Sequence, residues 1–237
     1  MIDDITYTRR GVIINKNLIM SDLHLGYSSE INSMTKRDEK SQITYDLTDI
    51  LDDKEVDRVI INGDIFHEFG KPSENALQIF DSLLTRVDIA DCKITLIKGN
   101  HDKNVDKYVS PHTMREDYSF DRNGSKITVV HGHKRWSDYS ESDILVLGHL
   151  HPVVKINGVQ WPTYLQGKIE NTNFLILPSF SKYQDGITIS ERVKLDIDFP
   201  FIKTESFRSL APYVYDSEED EVREFPVLNK CSQYFGV

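Results

Sequence analysis

The stretch "VIINGDIFHEFG", residues 59–70, runs from an apolar segment straight into Gly63, Asp64 and His67. Its opening is β-branched and too short for a helix, so it reads as a buried strand. A strand that ends by presenting a carboxylate and an imidazole decides little alone, but this chain repeats the pattern. Apolar runs also lead into "SDLHLG" (Asp22, His24), "GNHD" (Asn100, His101, Asp102), "HGHKRW" (His131, His133) and "GHLH" (His149, His151). Seven of the eight histidines lie in these five turns, the exception being His112 in "SPHT", so chance placement is a poor explanation.

Further strands are read in "GVIIN", "NLIMS", "KITLIK", "SKITVVH", "DILVLG", "NFLILPSF" and "GITIS". Helical apolar spacing marks "SQITYDLTDILDD" (Ile43, Leu47, Ile50, Leu51) and "SENALQIFDSLLTRV" (Leu77, Phe80, Leu83, Leu84, Val87), the second preceded by Pro72 and opened by Ser73. The first half therefore alternates strand and helix, and the second half is mostly strands and turns. That order predicts a layered α/β fold. Asn123-Gly124 is a strong hairpin signal, whereas Asn157-Gly158 is weaker because Trp161 and Pro162 follow closely. A terminal hairpin is expected around the acidic "DSEEDE" turn, with the acids as a solvated tip.

At 237 residues and 39% hydrophobic, the chain fits one domain, 1–237, with a core over about 10–190 and a hairpin extension over about 191–237. There is no run of 18 apolar residues and the N-terminus is polar, so neither membrane insertion nor secretion is indicated and a cytoplasmic location is expected. Cys92 and Cys231 form no CxxC and imply neither a disulfide framework nor a zinc knuckle. A formal charge of −10 argues against a broad basic face for long nucleic acid.

Strand C-termini in an α/β sheet converge on one edge, where ligands bind. In an extended "DLH" segment, residues i and i+2 point the same way, so Asp22 and His24 can address one metal, and "GHLH" repeats the spacing. Glycines before Asp64, Asn100 and His149 let the backbone turn tightly and approach the ions. Carboxylate, amide oxygen and imidazole without thiolate suit Mn, Fe, Zn, Co or Ni. The donor count serves two ions. A carboxylate shared by two cations keeps them about 3.5–4 Å apart, the spacing at which both polarise one phosphate, and Asp64 is the candidate bridge.

The ordered set D-x-H, G-D-x-x-H, G-N-H-D, H-G-H and G-H-x-H, over residues 22–151, resembles the calcineurin-like metallophosphoesterase superfamily. More narrowly, "IMSDLHLGY", "INGDIFHEFG", "LIKGNHD", "VVHGHKRW" and "LPSFS" look like the SbcD-related phosphoesterases that include DNA-ligase-associated members. The resemblance implies a four-layer α-β-β-α sandwich, two mixed sheets flanked by helices. It assigns one metal to Asp22, His24, Asp64 and His151, and the other to Asp64, Asn100, His131 and His149, with Mn the first choice. It places His101 beside the scissile phosphate, to stabilise the transition state or protonate the departing oxygen. Asp102 either orients that imidazole or serves as a turn residue. His133 stands outside the ligand set or replaces His131 in it. His67, in the SbcD-like "GDIFH", positions substrate without binding metal.

The expected reaction is in-line hydrolysis of a phosphodiester by a metal-bound hydroxide. Lys134 and Arg135 are the candidate phosphate contacts; Lys36 and Arg37 also flank the motifs, and Lys103 and Lys107 read as plain surface. The substrate read here is a nucleotide or small phosphodiester. The alternatives are an SbcD-like DNA nuclease, a phosphomonoesterase and, in another class, a non-enzymatic scaffold. A scaffold of this fold typically lacks ligands that this chain retains. Oligomeric state is not legible.

Overall fold

A computed structural model describes residues 5–27, 33–134, 139, 141–184, 186–189, 202, 204–216 and 218–233. Its first sheet has six strands in chain order: β1 (Thr6–Tyr7), β2 (Val12–Ile14), β3 (Asn17–Met20), β4 (Arg58–Asn62), β5 (Lys93–Ile97) and β6 (Met114–Arg115). The first two pairings are antiparallel, and β3 to β6 run parallel. Parallel neighbours need crossovers, and α1 (Ser33–Asp53) and α2 (Glu74–Ile89) supply two of them.

The second, nine-stranded sheet is mixed. It contains β7 (Asp117–Arg122), β8 (Ser125–Val130), β9 (Ile144–Leu147), β10 (Pro152–Ile156), β11 (Val159–Ile169), β12 (Thr172–Ile176), β13 (Ile187–Thr188), β14 (Ala211–Asp216) and β15 (Glu221–Glu224). Within it β8 and β12 flank β9 in parallel.

Alternation on β4 explains its continuous apolar run. Val59 and Ile61 face the α1 and α2 side with Leu47, Ile79 and Leu83, while Ile60 faces Val129, Val146 and Leu175 of the second sheet. A third cluster covers the other face of the second sheet, where Leu145, Leu147 and Ile176 meet Phe207, Leu210 and Leu228. The layers are therefore helix, sheet, sheet and an outer cover. Among the described residues that cover includes a short helix, Thr204–Phe207, and a 3₁₀ turn, Leu228–Gln233.

Two sequence readings change. Helix α1 starts eight residues before the apolar spacing that marked it, through a charged segment with no periodic signal. Asn157-Gly158 closes a full β10–β11 hairpin with φ of 52° and 83°, as Asn123-Gly124 does for β7–β8 with 49° and 83°. Pro162 is tolerated there because it pairs only with β10, before the β12 and β14 pairings of β11 begin. The acidic-tipped hairpin forms as β14–β15, and β14 joins the second sheet by pairing with β11. Ser73 caps α2 by accepting the Ala76 amide at 3.3 Å. Among the described residues no helix is long and apolar enough to cross a membrane.

Candidate metal centre

Strands β3, β4 and β5 of the first sheet and β8 and β9 of the second all end at one place. Past β3 and β4 the two chains stay in register: Asp22 N donates to Gly63 O at 3.1 Å, His24 N to Asp64 O at 2.9 Å, and Leu25 N to Ile65 O at 2.8 Å. Gly148 N donates to His131 O at 3.0 Å and ties the two motifs of the second sheet. The loops thus share one cradle, as the strand-end reading predicts.

The extended geometry expected for "DLH" and "GHLH" does not form. Asp22, His24, His149 and His151 have φ of 58°, 43°, 66° and 46°, and Asp64 has 48°. Left-handed backbone costs a non-glycine residue about 1–2 kcal/mol, and a run of such residues marks a site where surrounding contacts hold the strain. Asp22 and His24 still meet in one donor set, together with His151, whereas His149 joins Asp64 and His131 in another. The glycine reading shifts too: a Cβ at Gly99 would overlap the Asp64 carboxylate, and one at Gly148 would overlap Ser21. These glycines make room for neighbouring side chains, and Gly63 before Asp64 takes the tight turn expected of it, with φ of 80°.

Among the described residues, three sets of donor atoms lie within 4.8 Å of one another: Asp22 with His24 and His151, His24 with Asp64 and His101, and Asp64 with His131 and His149. The first and third each hold three of the four residues expected for one ion. Asn100 joins the third, its Oδ1 being 3.3 Å from His131 Nε2. Asp64 is central: its Oδ1 accepts His101 N at 2.9 Å, and its Oδ2 is 3.3 Å from His131 Nε2 and 3.8 Å from His24 Nε2.

The donor set fits cations. His131 Nδ1 lies 2.9 Å from the Asn62 carbonyl, which only accepts, so Nδ1 carries a proton and Nε2, turned to Asp64 and Asn100, is the nitrogen a cation would take in place of a proton. His24 is 1% exposed and neither of its ring nitrogens has a hydrogen-bond partner. Asp22 Oδ1 and His151 Nε2, 2.9 Å apart, likewise lack hydrogen-bond geometry. Lone pairs gathered in a dry pocket require positive charge between them.

The electrostatics agree. Burial opposes ionisation of Asp22, but His151 and His131 outweigh it and hold the carboxyl below the ordinary range. Asp64 is lowered against burial in the same way by His131. Burial disfavours a charged His131, yet Asp22 and Asp64 raise it to about 9, and His151 is raised by Asp22 against the same penalty. His24 falls to about 3, and His149 to about 4, chiefly through burial.

His101 Nδ1 lies 2.8 Å from the His67 carbonyl, so it too is the protonated nitrogen, and Nε2 is left for chemistry. Of the two roles open to Asp102, its hydrogen bonds are those of a turn residue. Asp102 is 1% exposed and accepts Ile65 N at 3.0 Å and Gly99 N at 2.9 Å, stapling the loops after β4 and β5. Burial, with the nearby Asp64 charge, pushes Asp102 up to about 6 despite those two amides. The imidazole of His67 lies edge-on between Tyr27 (4.8 Å) and His24 (5.7 Å). His133 stands 5.3 Å from the His131 ring and falls to about 4, first through burial and then through His131. It belongs to none of the three donor sets.

The ammonium of Lys134, expected as a phosphate contact, is paired with Glu116 at the surface. Arg135 lies outside the described residues, as do the side chains of Lys36 and Arg37. Lys107 lies over the Tyr108 ring at 4.8 Å, as ordinary surface.

Supporting residues came only with the structure. Asn62 is fully buried; its carbonyl accepts Ser21 Oγ at 2.7 Å as well as His131, and its amide donates to Val130 O at 3.2 Å. An asparagine closing an apolar strand was the available signal. Buried Glu39, on the part of α1 without apolar spacing, accepts Gly26 N at 3.1 Å and fixes the loop after "DLH".

The family model for calcineurin-like phosphoesterases matches residues 16–181, and the chain belongs to that family. Its members typically bind two divalent metals. No curated protein matches the sequence. Among solved structures, the nuclease MPE of Pseudomonas putida is similar at 17% identity and a TM-score of 0.61, with 87% of this chain and 88% of that one covered. Yfce, a phosphoesterase from E. coli, is similar at 13% identity and 0.49, with 89% and 98% covered. An archaeal phosphodiesterase is similar at 17% and 0.43, with 87% and 96% covered. At 17% identity the likeness to the Pseudomonas putida protein is one of fold.

Proposed function

We propose that the chain acts as one phosphoesterase domain hydrolysing phosphodiester bonds of nucleotides or small diesters, with two divalent cations. The observation that carries this reading is the membership of Asp64 in two donor sets, one with His24 and His101 and one with His131 and His149, while His24 also belongs to the set of Asp22 and His151. One cation is held by Asp22, His24, Asp64 and His151, the other by Asp64, Asn100, His131 and His149. Oxygen and imidazole donors without sulfur favour Mn, with Fe, Zn, Co and Ni as alternatives. Bound there, the cations supply Lewis acidity, neutralising phosphate oxygens and lowering the pKa of water.

The chain's own residues do the rest. His101, its Nδ1 proton held by the His67 carbonyl, presents Nε2 to the leaving oxygen and, when protonated, donates to it. His67 packs beside His24 and positions the substrate without binding metal. Arg135 is the proposed phosphate contact; Lys134 takes that part only by leaving Glu116. A cytoplasmic setting belongs to the same reading.

A nuclease is the second reading. It is favoured by the "GDIFH" form of the β4 motif and by the similar Pseudomonas putida protein, a nuclease. The charge of −10 favours short substrates over long nucleic acid. The deciding experiment supplies Mn and compares a chromogenic diester, a monoester, cyclic nucleotides and single-stranded DNA. The expected order puts the chromogenic diester and nucleotide diesters first and the monoester last. A dominant monoesterase rate, or no hydrolysis of any diester, refutes the proposal.

A further inference from the structure

Phe69 is 67% exposed, and its covered face lies nearly parallel to the His101 imidazole, with centroids 4.0 Å apart and planes 24° apart. A single exposed aromatic is ordinary on a protein surface. This one stands two residues after the His67 carbonyl that holds His101 Nδ1, so one short loop grips the imidazole by its edge and by its face. Gly70 follows with φ of 101°, and a Cβ there would meet nothing within 4 Å, so the loop beside Phe69 is itself open.

We infer that Phe69 is a stacking platform for the aromatic base of the leaving nucleoside, which makes the natural substrate a nucleotide or short nucleic-acid diester rather than an aliphatic one. The inference rests on the phosphodiesterase reading above. If His101 faces the leaving oxygen, the group attached to that oxygen extends past His101, and Phe69 is the ring against His101 that is open to solvent. A nucleoside places its base one sugar's width from that oxygen. Stacking tolerates any base, because every base has a π face. It also supplies binding energy that this chain does not draw from a broad basic surface: the charge is −10, and Lys134 is paired with Glu116.

The test compares two diesters on the Mn-loaded protein, one with a nucleoside and one with an aliphatic alcohol of matched acidity as the leaving group. Phe69→Leu should lower the ratio of their kcat/KM values about tenfold, the scale of one base–aromatic stack, and Phe69→Trp should restore it. Equal losses on both diesters overturn the inference, since Phe69 then only shields His101. A second arm measures binding of a fluorescent phosphorothioate oligothymidylate, where Phe69→Leu should weaken affinity by a similar factor; unchanged affinity counts against stacking. A wild-type protein that hydrolyses neither diester refutes the phosphodiesterase reading instead, and the binding arm then decides the stacking alone.

Discussion

Asp64→Asn is expected to lower kcat/KM for a phosphodiester by at least about a thousandfold, on the order of 4 kcal/mol of transition-state stabilisation, and to remove at least one bound cation. The substitution keeps volume and one oxygen. That oxygen can still accept the His101 amide, which is 2.9 Å from Oδ1. The NH₂ group then replaces Oδ2, which lies 3.3 Å from His131 Nε2 and 3.8 Å from His24 Nε2. A donor with no charge now stands where two donor sets meet. Metal analysis beside steady-state kinetics checks both parts, and near wild-type turnover with Mn supplied would refute the shared role of Asp64.

His101→Ala should leave the metal content intact while lowering kcat by about 10²–10⁴, the usual contribution of a positioned acid. The loss should be large for an alkoxide leaving group and small for nitrophenolate, which departs without a proton. This contrast matters because a ring nitrogen of His101 lies within 4.8 Å of donor atoms on His24 and Asp64. A variant that loses a cation, with equal losses on both leaving groups, identifies His101 as a ligand and removes it as the acid.

Much of this site was legible because its chemistry is concentrated at strand ends. A buried strand needs an apolar run, and a polar residue immediately after it has to have a reason. Five such ends named every member of the three donor sets. The local geometry was not legible. Asp22 and His24 converge through left-handed backbone rather than along an extended strand, a conformation imposed by contacts from β4, β9 and the Ser179 loop. Nor could sequence show that Asp102 staples two loops, since its partners Ile65 and Gly99 are backbone amides. The pairing of Lys134 with Glu116 joins residues from different loops. The early turns of α1 carry no apolar period, so neither their helicity nor the anchoring role of Glu39 was visible.

The fold followed the same division. The alternation of strand and helix up to β5 was read correctly because parallel strands buried on both faces are nearly continuous apolar runs. Strands β7, β10 and β11 were missed as strands because their residues are polar or half-buried along much of their length. Their hairpin turns, Asn123-Gly124 and Asn157-Gly158, were the better signal.

The central claim is that this chain hydrolyses a phosphodiester when the residues around Asp64 hold two cations, and it is tested most directly by titrating metal-stripped protein with Mn while recording the initial rate on one diester. The rate should be negligible without metal and should saturate at about two equivalents per chain. Saturation at one equivalent, or a rate independent of metal, contradicts the account.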